Sequence, residues 1–140
     1  MHNNLWNNLH KAYTTFNVYL DEALRPLKIT IQQLSLMETL IDGPVKVTDI
    51  AEMIGVDRTT ISRNAKRLMI KDLIEFDITG DKRCSMYRLT QRGQALTFKA
   101  HAHCADYLKR IDTYLKDEHM EYMPMYLEKL FLKMREHLSK

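Results

Sequence analysis

Apolar residues recur along most of this chain in steps of three and four. The first set is Leu5, Leu9, Ala12, Phe16, Tyr19, Leu20, Ala23 and Leu24, the spacing of one face of an α-helix. Pro26 ends that helix, because its ring and missing N–H cannot extend the backbone ladder. A second helix starts after Thr30. In Thr30-Ile31-Gln32-Gln33 the hydroxyl and the side-chain amide can satisfy reciprocal backbone donors. This helix carries Leu34, Met37, Leu40 and Ile41 inward and stops at Asp42-Gly43-Pro44. A short helix from Thr48 to Ile54 follows, with Thr48 as its N-cap and Asp49 and Glu52 near the positive end of its dipole. Gly55-Val56 makes a tight turn, and Asp57 caps another helix that runs to about Lys71. The period then changes. Leu73 to Ile78 and Cys84 to Leu89 predict two strands, with Gly80-Asp81-Lys82-Arg83 as the hairpin tip. Thr90 caps a long helix to about Leu115, and Met120, Met123, Leu127, Leu130, Met134 and Leu138 trace a last one. Pro124 lies inside that pattern, so the last helix is kinked there or begins near Met123. The four glycines (Gly43, Gly55, Gly80 and Gly93) all fall at predicted element boundaries.

The 140 residues suffice for one domain, or one unit with appended helices. With 45 % hydrophobic and 28 % charged residues the composition is that of a globular chain, which excludes disorder and low-complexity scaffolds. No run approaches the length of a membrane span, and Met1 to Trp6 lacks the regions of a signal peptide. Two cysteines, Cys84 and Cys104, cannot build a disulfide framework. The expected location is therefore the cytoplasm.

The net charge of +3 is unevenly spread. Nine basic and four acidic residues lie between Arg58 and Arg92, a local +5, and the remainder carries −2. A basic segment on a slightly acidic body suits a polyanion-binding module. Two short helices around Gly55-Val56 followed by a basic hairpin predict a winged helix-turn-helix. On a helical wheel Ile61, Ala65, Leu68 and Met69 face inward. Thr59, Arg63, Lys66 and Arg67 face outward, flanked by Thr60 and Ser62. With Arg58, that outward set combines short hydroxyls and long cations, with no carboxylate after the cap. Such groups donate to phosphate oxygens, and arginine can read guanine with two parallel hydrogen bonds. An ordinary solvated helix would interleave glutamate with its cations at i, i+4. At the hairpin tip Lys82 and Arg83 suit a minor groove, and Asp81 can orient the Arg83 guanidinium.

The resulting fold class is mainly α with a small β-wing. Residues 30–92 form the winged helix-turn-helix core, and residues 1–25 and 95–140 are dimerisation helices of a single unit spanning 1–140. The stripes of the two terminal helices are too apolar to face water, and a neighbouring copy is the natural partner, although packing of the two on each other would also bury them. Tyr13, Phe16, Tyr19, Met37 and Met86 could line an apolar effector cleft or simply fill the core. His101 and Cys104 share a helix face while His103 points elsewhere, giving at most two ligands where a closed zinc site needs four. No metal or cofactor is expected. Nothing has the nucleophile–base spacing or the Gly-rich phosphate loop of an enzyme. Two alternatives stay open: a winged-helix module that docks an acidic protein, and a regulator of the same fold responding to thiol oxidation or metal.

The sequence resembles the MarR (multiple-antibiotic-resistance regulator) family of transcription factors. Thr30, Gln33, Leu34 and Leu40 match the opening of that family's second helix. Ile50-Ala51-Glu52 with Gly55 to Arg63 matches its helix-turn-helix. Leu68, Leu73-Ile74-Glu75, Asp81, Arg83, Leu89-Thr90 and Gly93 match its wing and the helix after it. The resemblance implies a homodimer on a pseudo-palindromic operator in double-stranded DNA, with Thr59 to Lys66 in the major groove and Arg83 in the minor groove. It also implies release by a small phenolic or other lipophilic effector. This sequence departs from the family pattern at Asp72, where glycine is usual after the recognition helix, and at Ile70, where a charged residue is usual.

Overall fold

The computed structural model describes residues 4–77 and 85–139. Among them are six α-helices, a single 3₁₀ turn and three strands. Helix α1 (Asn4–Leu24) runs into the 3₁₀ turn Arg25–Leu27, which holds Pro26. Helix α2 (Ile31–Glu38), strand β1 (Val45–Lys46), helix α3 (Val47–Ile54) and helix α4 (Arg58–Ile70) follow. Strands β2 (Ile74–Asp77) and β3 (Met86–Leu89) lead to helix α5 (Gln91–Asp117) and helix α6 (Met123–Leu138).

Local hydrogen bonds set most of these boundaries. The Gln33 amide donates to the Thr30 hydroxyl at 3.1 Å, and the Thr30 amide donates back to Gln33 Oε1 at 3.1 Å. Asp21 of α1 adds a third cap, accepting from the Ile31 amide at 2.6 Å. Gln33 is thereby buried with its polar atoms satisfied. Helix α3 differs from expectation. It begins at Val47, and its N-cap Lys46 makes no side-chain capping bond, so Thr48 lies inside the helix rather than capping it. The cause is β1, which brings the backbone up to Lys46 in extended form. Gly55 closes α3 at φ 69°, a left-handed conformation that glycine adopts without steric cost. Helix α6 starts at Met123 with Pro124 in its first turn, where a missing N–H costs nothing.

The strands form an antiparallel sheet in the order β1-β3-β2. Val45 pairs with Tyr87 and Lys46 with Met86, while Ile74 pairs with Leu89 and Glu75 with Arg88. Strand β1 is absent from the sequence reading, since two residues carry no period. The chain forms two compact units, Met1–Cys104 and Ala105–Lys140, with α5 running through both. The first holds the core: Leu20 and Leu24 from α1, Leu34, Leu36 and Met37 from α2, Ile50 from α3, and Ile61, Ala65 and Leu68 from α4. Met69, expected inward, is only half-buried. In the second unit α6 buries none of its residues and exposes Met125, Tyr126, Leu127, Phe131, Leu132 and Met134.

Candidate nucleic-acid interface

Helix α4 is fastened at both ends. At its start Asp57 accepts from the Thr60 amide at 3.0 Å. Bonds from the Thr60 hydroxyl and amide, with Arg63 nearby, hold this carboxyl below its ordinary range. At its end the Asp72 amide donates to the Met69 carbonyl at 3.0 Å and the Leu73 amide to the Leu68 carbonyl at 2.9 Å. That is a Schellman turn with Asp72 in its left-handed position, φ 59°. The departure at Asp72 is thus accommodated by an aspartate in a glycine conformation.

Between these ends, Ile61, Ala65 and Leu68 are buried, and Arg58, Thr59, Arg63, Lys66 and Arg67 are exposed. Thr60 and Ser62 are half-buried at the margins. Thr59, Ser62, Arg63, Lys66 and Arg67 line one shallow concavity of about 410 Å³. The arrangement thus gathers the expected recognition-helix side chains on one surface. Among the described residues none of Arg58, Arg63, Lys66 and Arg67 forms an ion pair, so their donors face solvent. Arg88 is different. It pairs with Glu75 at 2.9 Å and Asp77 at 3.7 Å, which removes it from the free basic set. The cross-strand register places Glu75 opposite Arg88, a signal that alternation along the two strands carries. The hairpin-tip residues Asp81, Lys82 and Arg83, with Cys84, lie outside the described residues.

The expected effector cluster is not brought together. A cavity of about 460 Å³ opens between α1, α2, α3 and α4, and of Tyr13, Phe16, Met37 and Met86 only Tyr13 lines it. Met37 is fully buried in the core, Phe16 is exposed on α1, and Met86 sits half-buried in β3. Ser35, Thr39, Met53, Thr60 and Asn64, none of them singled out in the sequence, line it instead. Helical spacing identifies which residues turn inward but not which inward residues leave space.

The His101 and Cys104 motif is used structurally. His101 Nε2 lies 2.7 Å from Glu38 Oε1, joining α5 to α2. His103 Nδ1 sits 3.0 Å from the Lys99 carbonyl. Cys104 is buried, and burial first, then Glu38 and Asp21, pushes its thiol pKa up. Among the described residues no group of three or more His, Cys, Asp and Glu gathers into a candidate metal set. No described helix is long and apolar enough to cross a membrane.

The helix-turn-helix with its adjoining antiparallel strands defines a winged helix protein whose exposed second helix is cationic. Residues 27–83 match the model of the MarR family. The chain is 32 % identical over 100 residues to the uncharacterised HTH-type transcriptional regulator YxaD of Bacillus subtilis, covering 69 % of this chain and 66 % of that one. It is 26 % identical over 104 residues to the HTH-type transcriptional regulator TcaR of Staphylococcus aureus, covering 72 % and 69 %. The fold matches the crystal structure of the M. tuberculosis transcriptional regulator MosR in complex with DNA, with a TM-score of 0.81 at 21 % identity over 99 % of both chains. The chain belongs to the MarR family of winged helix transcription regulators.

Proposed function

We propose that this DNA-binding regulator acts as a homodimeric repressor on a pseudo-palindromic operator, and that a small molecule releases it. The observation that carries the reading is the α4 surface: three hydroxyls and four cations without an ion pair among the described residues. Free cations on an otherwise well-packed helix leave their donors for phosphate and base edges. Arg63, midway along the helix, is assigned to a guanine, while Arg58, Thr59, Thr60, Ser62, Lys66 and Arg67 position the helix on phosphates and neighbouring bases. Lys82 and Arg83, with Asp81 orienting the latter, are assigned to the minor groove.

The homodimer rests on apolar exposure. Trp6, Tyr13 and Val18 on α1 and the six apolar residues named above on α6 face solvent within their units, more than a monomer usually leaves uncovered. Two copies related by a twofold axis place two recognition helices for half-sites about 10 bp apart. The effector site is assigned to the 460 Å³ cavity, because Thr60 and Asn64 in its wall belong to α4. A ligand there bears directly on the recognition helix. Its wall holds one carboxylate, Glu38, among neutral hydroxyls and amides, which favours a neutral hydrogen-bonding effector.

Selection from a random duplex pool, followed by titration over salt, tests the reading. The expected result is a palindromic consensus bound about 10³-fold or more tighter than random DNA. Its log–log salt slope should be near −0.9 per phosphate contacted. Absence of any preferred sequence would favour a module that docks an acidic protein.

A further inference from the structure

A second basic concavity of the first unit lies off the cationic face of α4. A cavity of about 600 Å³ opens between the 3₁₀ turn, the end of α4 and the first turns of α5. Its floor and walls are apolar: Leu73 is buried, Leu27 and Leu96 are half-buried, and Ile70 stands 86 % exposed. No other large apolar side chain among the described residues is as exposed as Ile70. Four cations, Lys28, Lys71, Arg92 and Lys99, also line it, against the single carboxylate of Asp72. The Lys71 ammonium donates to the Lys28 carbonyl and ties one side of the rim to the other. Both sides are held in left-handed backbone by residues other than glycine, Lys28 at φ 58° and Asp72 at φ 59°. Such backbone persists where the surrounding structure over-determines it, and it concentrates at binding sites.

We propose that this cavity binds an amphipathic organic anion: a compact lipophilic body carrying a phosphate, sulfonate or carboxylate head. The volume lies within the roughly 300–1,000 Å³ typical of small-molecule sites. The apolar body covers Ile70, Leu27 and Leu96, which otherwise face water. The head accepts charge-assisted hydrogen bonds from Arg92 and Lys99, two turns apart on one face of α5, with Lys28 and Lys71 adding field from the opposite rim. A local balance of four cations to one carboxylate favours a doubly charged head over a neutral polar one. The 460 Å³ cavity, with its lone Glu38, is complementary to different chemistry, so the two sites select different ligands. Ile70, out of pattern on a recognition helix, thereby gains a role.

The probe is 1-naphthyl phosphate, compared with neutral 1-naphthol by isothermal titration calorimetry on the full chain. The phosphate should bind about tenfold or more tighter than the naphthol, since only it accepts the charge-assisted bonds. Arg92→Gln with Lys99→Gln should abolish that preference and leave naphthol binding unchanged. Ile70→Ser, which removes no charge, should weaken both probes severalfold. Duplex affinity of the Arg92→Gln/Lys99→Gln variant should stay within about twofold of the parent at fixed salt, because neither residue lies on α4. Equal binding of the two probes, or phosphate binding that survives the double substitution, overturns the proposal. A parallel loss of duplex affinity would show that these cations serve DNA, and also overturns it. Loss of the preference with duplex binding intact supports it. The DNA reading is measured separately and can fail without it.

Discussion

Gly93 is the position where one added methyl group should do most harm. It lies in the first turn of α5, inside the helix, and a Cβ there would meet the Leu73 carbonyl oxygen at 1.9 Å and its carbon at 2.8 Å. These are backbone atoms, so no side chain can swing aside. Restoring ordinary contact needs the helix start and the α4–β2 turn to part by about 1.5 Å. Two hydrogen bonds span that gap: the Thr90 amide to the Leu73 carbonyl at 3.1 Å, and the Thr90 hydroxyl to the Asp72 carbonyl at 2.7 Å. Losing both costs about 1–3 kcal/mol in all, and the strain of overpacking adds about 1–3 kcal/mol. Alanine's higher helix propensity returns about 1 kcal/mol. Gly93→Ala should therefore destabilise the protein by about 1–5 kcal/mol, centred near 3. Urea unfolding followed by circular dichroism, at fixed protein concentration, reads this as a midpoint lowered by about 0.5–2.5 M. A midpoint equal to or above that of the parent would refute the argument, because helix propensity alone predicts stabilisation.

Asp72→Gly should act in the opposite sense at the neighbouring turn. Relief of a left-handed conformation, less the chain entropy of glycine, should raise stability by about 0.5–1 kcal/mol, and a lowered urea midpoint would contradict it. Asp57 has a folded-state pKa below the ordinary 3.8. The stability it contributes is thus fully present above the unfolded value and lost as pH falls through the lower folded one. Asp57→Asn, which keeps a capping oxygen, should flatten that acid limb of the unfolding profile, and an unchanged limb would show that the cap is not charge-assisted. In a Cys84→Ser background Cys104 should react with a thiol reagent at neutral pH at least about tenfold more slowly than free cysteine, given its burial and raised pKa. Equal rates would place the thiol in solvent and reopen a redox role.

The parts of the fold legible in the sequence are those whose cause lies within four residues. The Thr30–Gln33 box, the Asp57 cap, the Gly93 amide donating to the Thr90 hydroxyl at 2.9 Å, and the start of α6 at Met123, just before Pro124, are all of this kind. The outward set of α4 is legible too, since it depends only on helical period and on one buried stripe. What stayed hidden depends on pairs far apart in the chain. Strand β1 exists because Val45 and Lys46 meet Tyr87 and Met86 some forty residues on, and that pairing moves the start of α3. Gly93 reads locally as a boundary glycine, and only its contact with Leu73 shows why no side chain fits. The cavity beside Tyr13 arises where four helices fail to fill space, which no single helical face encodes.

This division separates the residues that hold α4 from those that α4 presents. Arg63 and Lys66 are exposed and form no ion pair among the described residues, so folding gains little from them. Arg63→Ala and Lys66→Ala should leave stability within about 0.5 kcal/mol of the parent. Arg63→Ala should nevertheless weaken the selected operator by about 1–3 kcal/mol if it reads a guanine, and by the same factor on every sequence if it touches phosphate alone. Lys66→Ala should weaken all duplexes alike and reduce the salt slope by about one. Gly93→Ala should do the reverse, lowering stability first and affinity only through the displaced helix. Should Arg63→Ala unfold the protein, or leave operator binding intact, the α4 surface would be part of the scaffold, and the functional argument would lose its foundation.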